Sequence, residues 1–289
     1  MAEEYTSEQK GKIARHFIYV APHGEIKPLA KDLKSIVPNI VNDNFLRTTM
    51  TDYCKRRFEI IEGDTTKVIC CPQAEVEPNK YLNPDSKKIC TIDPVAQKVT
   101  DSQDASNKVG TGDNEKFRLA FTKELKEYLS AYYEDGSTPN SVAKGTGTVF
   151  VSPNGQIAIV ISYKNLNTGN YWTGGWQSEW SLNVSKKGKT QIDGRIRLNV
   201  HYFEDGNVQL NSVFKESSNI NITDIDGTAK TVFKEIAKLE SGFQQRLEKF
   251  YIDMKDKSFK KMRRPLPKIG TKMDWRKSVH SLAAEASSK

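Results

Sequence analysis

Two hydrophobic periods follow one another along this 289-residue chain, and each predicts an element. The N-terminal part is helical in period. Ser7 is placed to cap a helix through about His16. Leu29, Leu33 and Ile36 recur at helical spacing before Pro38, and Asn42 or Asp43 opens a third helix carrying Phe45, Leu46, Met50 and Tyr53. Ala21 to Glu25, with Pro22 and Gly24, is a turn. Three short helices with tight connections predict a helical hairpin or bundle. Phe58 and Ile60, then Val68 and Ile69, predict short strands, and the polar stretch from Ala96 to Gly112 predicts a long surface loop. A longer helix follows, capped by Asp113 or Asn114. Its stripe of Phe117, Phe121, Leu125, Tyr128 and Tyr132 has spacings of 4, 4, 3 and 4.

The period then drops to 2. Val149 and Val151 precede the turn Pro153-Asn154-Gly155, and Ile157, Ile159, Ile161 and Tyr163 alternate after it. Asn-Gly between alternating runs is a strong hairpin signal. Trp172, Trp176 and Trp180, then Leu182 and Val184, mark the next strand. Ile196, Leu198, Val200 and Tyr202 mark another, and Val208, Leu210 and Ser212 continue beyond the turn Glu204 to Asn207. About five antiparallel strands in a meander follow from this. From about Thr228, the residues Val232, Ile236, Leu239, Phe243, Leu247, Phe250 and Met254 return to spacings of 3 and 4, up to about Lys261. Such a helix, roughly 50 Å long at 1.5 Å per residue, covers more sheet than five strands supply. The meander also leaves an edge to be satisfied. Both points predict a partner that extends the sheet.

Charge adds a second feature. The net charge is +8. Between Lys249 and Lys277, eleven basic residues face three acidic ones, so this block holds the whole excess. A basic block at one end implies a partner with an acidic surface. Pro265 and Pro267 break the long helix, and Trp275, Val279, Leu282 and Ala283 then form one short apolar face beside Arg276, Lys277 and His280. Such a tail suits docking into a groove. No apolar run approaches a membrane span, and the start lacks the apolar core of a signal peptide, so a cytosolic protein is the default expectation. The cysteines Cys54, Cys70, Cys71 and Cys90 match no metal spacing and read as small buried residues; the sequons at Asn183 and Asn221 then carry no meaning.

Catalytic patterns are missing. His16, His23, His201 and His280 form no metal-ligand pair, and neither a nucleophile elbow nor a phosphate loop occurs. Gly145-Thr146-Gly147 reads as a strand entry, His201 as a hydrogen-bonded structural residue, and the strand tryptophans as core. No enzyme activity, metal or cofactor is expected.

Four segments carry a resemblance. They are Ala21–Glu25 (APHGE) followed by Asn42–Arg47 (NDNFLR); Tyr171–Trp180 (YWTGGWQSEW); Val200–Leu210 (VHYFEDGNVQL); and Phe259–Trp275 (FKKMRRPLPKIGTKMDW). Together they resemble the α subunits of the heterodimeric F-actin capping protein across nearly the whole chain. Gly270 and Gly175 stand where that family usually has Arg, and Lys268 where it often has Val.

The resemblance implies an α+β fold. A helical stalk would be followed by a small strand-rich piece. Five strands would join five from a β subunit in one sheet, crossed by a long helix, and the chain would end in an amphipathic tail. The segments would be 1–60 for the stalk, 61–112 for the small strand and loop region, 113–265 for the sheet with its helices, and 266–289 for an actin-binding tail. It also implies a non-enzymatic protein of the cytoplasm and cortical cytoskeleton. This protein would cap filament barbed ends without calcium, in obligate partnership with a β subunit. Lys260, Arg263, Arg264, Lys268 and Lys272 would face acidic actin surfaces, and Trp275, Arg276, Val279 and Leu282 would dock the tail. Phosphoinositides and capping regulators are further expected partners. The competing readings are a basic module for phosphoinositide or nucleic acid, and a scaffold paralogue that does not cap. The prolines and apolar tail suit a groove better than a phosphate track, so no nucleic acid is expected.

Overall fold

The computed structural model describes residues 5–21, 23–63, 66–109, 112–133, 141–152, 154–169, 171–185, 188–203 and 208–253. Three helices come first: α1 (Ser7–Val20), α2 (Ile26–Ile36) and α3 (Asp43–Arg56). The cap of α1 is Thr6, not Ser7. Thr6 accepts the Gln9 N–H while the Gln9 side chain accepts the Thr6 N–H, a capping box, and the helix runs on to Val20 rather than stopping near His16. Asn42 caps α3 through the Phe45 N–H at 2.9 Å. Of the second apolar stripe, Leu33 is buried, but Ile36 is 73% exposed at the helix end.

Six short strands come next: β1 (Ile60–Glu62), β2 (Lys67–Ile69), β3 (Glu75–Glu77), β4 (Lys80–Asn83), β5 (Lys88–Asp93) and β6 (Lys98–Asp104). The first two form a hairpin, and the other four a sheet in the order β3-β4-β5-β6. The loop expected over Ala96 to Gly112 is therefore wrong for most of its length. It holds β6 and a 3-10 turn at Ser106–Lys108. β6 is an edge strand in which every residue except Val99 is exposed, so it carries no apolar alternation to betray it. α4 (Asp113–Tyr132) starts from Gly112, whose φ of 75° no capping side chain shares, rather than from Asp113 or Asn114. Phe121, Leu125 and Tyr128 of its stripe are buried, whereas Tyr132 is 64% exposed.

The meander is five-stranded: β7 (Ser141–Val151), β8 (Gln156–Asn167), β9 (Trp172–Asn183), β10 (Gly188–Tyr202) and β11 (Val208–Ile222), in strict sequence order and antiparallel throughout. Residues of the β7–β8 turn include Gly155 at φ 75°, as the Asn-Gly signal requires. The register sorts the side chains cleanly. Opposite one another across the sheet stand Val149, Ile159, Trp180 and Gly194, and on the other face Ser162, Gln177 and Arg197. One face is thus apolar and the other polar.

The apolar face is covered by α4 and by the first part of α5 (Ile225–Asp253), which starts three residues before the expected Thr228. Asp224 accepts the Gly227 N–H at 3.1 Å at its start. Val232, Phe233 and Ile236 are buried, and the Phe233 ring meets Phe121 at 6.2 Å and Tyr128 at 5.7 Å. The chain divides into two compact units, the second beginning at Ser241. In the second unit Phe243 is buried and Phe250 is 47% exposed; Met254 and everything after it lie outside the described residues.

Trp180 is 1% exposed and lies against Gly194 on the neighbouring strand, where a methyl group would overlap its ring. The missing Cβ is what lets the indole lie flat on the sheet. Gly194→Ala is expected to cost about 1–3 kcal/mol by forcing the ring off its place. A thermal melt of the purified protein checks this, and an unchanged melting temperature would contradict the close approach.

Candidate functional site

The polar face of the sheet meets the N-terminal helices, and charged side chains are concentrated at this junction. Glu59, one residue before β1, is 3% exposed, and Lys164 on β8 is 4% exposed; their charged groups are in direct contact. His23, in the turn after α1, stands with Nδ1 3.3 Å from the Glu59 carboxylate. Burial pushes the Glu59 carboxyl upward, but the Lys164 ammonium and His23 outweigh it and hold it at about 2. Burial and the Lys164 charge push His23 below its ordinary 6.5. Ser162 Oγ donates to the Phe58 carbonyl at 2.7 Å, and Gln73 Nε2 donates to Glu179 at 3.4 Å, fastening the same two layers. Sequence reasoning missed this cluster, because the three residues are remote in the chain. Its one local sign is Glu59 standing inside the apolar run Phe58 to Ile61.

Beside the cluster lies a cavity of about 30 Å³, enough for a water or two. Its lining includes Gly175, Gln177 and His201. His201 is not the hydrogen-bonded residue expected: among the described residues neither ring nitrogen has a partner, and the ring packs 5.2 Å from Phe203. The register places Thr173 and Gln209 beside it, and the Thr173 hydroxyl donates to the Asn165 carbonyl at 3.2 Å instead. At Gly175 an added Cβ would meet only the Asn199 carbonyl, at 3.9 Å.

On the other side of the sheet a second buried carboxylate joins helix to strand. Glu240 on α5 accepts the Tyr128 hydroxyl at 2.8 Å, the Tyr133 hydroxyl at 2.5 Å and the Trp180 indole N–H at 3.4 Å. Burial raises its pKa despite these donors. The cysteines are buried, as expected, and burial pushes the Cys71 thiol up to about 12, where it is inert. Trp176 and Trp180 are buried core, which removes a base-stacking role for them.

The sheet ends on one side at β11, a strand of 15 residues with β10 as its one strand partner among the described residues. Val208 and Val213 on it are 64% and 57% exposed. At the opposite edge β7 has β8 as its one strand partner among the described residues, and its Lys144 reaches Glu62 of β1 at 3.1 Å through a side-chain ion pair. The basic and tail residues singled out in the sequence, Lys260, Arg263, Arg264, Lys268, Lys272, Trp275, Arg276, Val279 and Leu282, all lie outside the described residues.

The model of the family described as F-actin capping protein alpha subunit matches residues 14–285. This chain belongs to that family. Among its relatives, the F-actin-capping protein subunit alpha of Dictyostelium discoideum is 31% identical over 275 residues, covering 94% of this chain and 95% of the relative. That of Caenorhabditis elegans is 30% identical over 284 residues, covering 95% and 96%. The homodimeric actin capping protein alpha subunit from Plasmodium berghei matches with a TM-score of 0.74 at 23% identity, over 91% of this chain and 98% of that one, which supports the fold. The fold is therefore the α+β arrangement of capping protein α subunits, and the family is one of actin-binding cytoskeletal proteins named for capping rather than for catalysis. No described helix is long and apolar enough to cross a membrane.

The junction cluster gives this capping-protein α chain a pH-dependent stability. Glu59 titrates at about 2 when folded against an ordinary 4.5, so its contribution is complete above about 4.5 and disappears as pH falls through about 2. His23, lowered from 6.5, adds to the loss on acidification, because the unfolded chain takes up that proton first. Lys164→Met leaves the Glu59 carboxylate buried without its cation and is expected to cost about 3–5 kcal/mol at neutral pH. It should also flatten the acid limb. Melts of both proteins between pH 2 and 8 measure this; equal stability at pH 7 would contradict the pairing.

Proposed function

We propose that this chain is the α half of a two-chain cap that sits on filament barbed ends and blocks actin subunit gain and loss, without calcium. The single observation that carries this reading is the long β11 edge on a chain of this family. A strand of 15 residues offers a row of backbone groups that a second five-stranded sheet can pair. A β-like subunit is the proposed partner. A second copy of this chain is the alternative arrangement, since the solved relative from Plasmodium berghei is described as homodimeric.

Capping itself is assigned to the C-terminal part. Residues 1–60 serve as a stalk, 61–112 as a small strand region, 113–265 as sheet and covering helices, and 266–289 as the actin-docking tail. Lys260, Arg263, Arg264, Lys268 and Lys272 steer the encounter with acidic actin, and Trp275, Arg276, Val279 and Leu282 hold the tail in a groove. The cytoplasm and cortical actin are the proposed location. Phosphoinositides or regulators that cover the basic block would compete with the filament end. No catalytic step and no cofactor enters this function.

The test is seeded actin elongation at the barbed end with the chain co-expressed with a β-like subunit. Elongation should stop when the complex matches the number of ends. Lys260→Glu with Arg264→Glu should slow association by about tenfold or more at low salt, with the loss shrinking as salt screens charges beyond ~8 Å. Elongation that continues at saturating complex contradicts capping. An association rate untouched by the double variant at low salt contradicts the role of the basic block.

A further inference from the structure

α3 ends at Arg56, Arg57 is its C-cap, and the chain then turns through Phe58 at φ 46°. A bulky aromatic residue in the left-handed region is a genuine outlier, and its surroundings hold it there. Phe58 is 1% exposed, and the Arg197 guanidinium lies 5.3 Å over its ring. This turn opens a groove of about 770 Å³ between the helix ends and the polar sheet face, lined in part by Lys55, Arg56, Arg57, Arg197, Asn199 and Asn211.

The charges in this groove do not balance. Lys55 pairs with Glu75 at 3.3 Å and Arg197 with Glu179 at 3.2 Å. Among the described residues, Arg56 and Arg57 have no carboxylate within ion-pair distance. Aromatic and backbone groups hold them in place instead: Arg56 lies 4.2 Å over the Tyr19 ring, and Arg57 donates Nη2 to the Tyr19 carbonyl at 2.9 Å and sits 6.0 Å over Tyr53. Each guanidinium has five donors, so the exposed Arg56 and the half-buried Arg57 both retain capacity for an incoming oxyanion. A positioned pair of arginines is the arrangement that carboxylate recognition uses.

The groove's position indicates the source of that carboxylate. Asn211, on its floor, belongs to β11 and shares a side-chain hydrogen bond of 2.6 Å with Asn199. The small cavity next to it is also lined by Arg57, Asn211 and Gln209, the last two from β11. A subunit that adds its sheet to β11 therefore arrives beside Arg56 and Arg57. We infer that this groove receives an aspartate or glutamate side chain of the subunit paired with β11, and that Arg56 and Arg57 clamp it. This rests on the pairing reading of the preceding subsection. The clamp makes subunit association depend on salt, and it gives the partner a chemical requirement that backbone pairing alone does not.

The test uses the whole complex of this chain with its co-expressed β-like subunit. Subunit dissociation is followed by dilution of the labelled complex across a salt series. Arg56→Gln, and separately Arg56→Gln with Arg57→Gln, should dissociate at least about tenfold faster at low salt and converge on the wild type at high salt. Arg56→Lys with Arg57→Lys should recover part of the loss. Among the described residues Arg56→Gln removes no hydrogen bond, so it keeps the test valid if the double variant misfolds. A wild-type chain that forms no complex overturns the pairing reading itself. A wild-type complex whose dissociation is the same in Arg56→Gln at every salt overturns the clamp and leaves the pairing intact.

Discussion

Backbone hydrogen bonding is the constraint on which the rest of this structure depends. Each strand residue brings one donor and one acceptor, and a sheet must find partners for them at both edges. Inside the meander the problem is solved strand by strand, from β7 to β11. At the β7 edge the side chain of Lys144 reaches Glu62 of β1. At β11 the chain provides no further strand among its described residues. A long, alternating edge of this kind is an aggregation hazard unless a partner takes it.

The two faces of the sheet show how one set of strands serves two purposes. The apolar face is sealed by α4 and the first part of α5, up to Glu240, which is held among Tyr128, Tyr133 and Trp180. The polar face carries Ser162, Lys164, Gln177 and Arg197, and the N-terminal layer brings Glu59 into contact with the buried Lys164. Buried charges of this sort add little net stability, but removing one partner is costly. They therefore fix how the N-terminal helices sit on the sheet. Gly175 is part of the same face. The family resemblance puts an Arg at this position, where an added Cβ would meet only the Asn199 carbonyl, at 3.9 Å.

Much of the architecture was legible in the sequence because its signals are local. The period-2 runs around Asn154-Gly155 gave the hairpin, and the stripe through Val232 and Ile236 gave the long helix. β6 was not legible, since a strand exposed along almost its whole length has no alternation. Two helix starts were off by a residue or two, because Thr6 beside Ser7, and Gly112 beside Asp113, offer competing caps whose choice depends on backbone angles. The basic block near Lys260 to Lys272 was visible as plain composition. The Glu59, Lys164 and His23 cluster was not, since its members meet through the packing of layers that no local pattern encodes. His201 looked satisfied only because its strand neighbours could not be placed until the register was known.

On the proposed pairing, β11 is an interior strand of the two-subunit sheet. Amide hydrogen exchange over Val208–Ile222 in the purified complex tests it most directly. The account predicts slow exchange at successive amides along the strand, because β10 protects one side and the partner strand the other. Fast exchange at every second amide, the pattern of a solvent-facing edge, would contradict it.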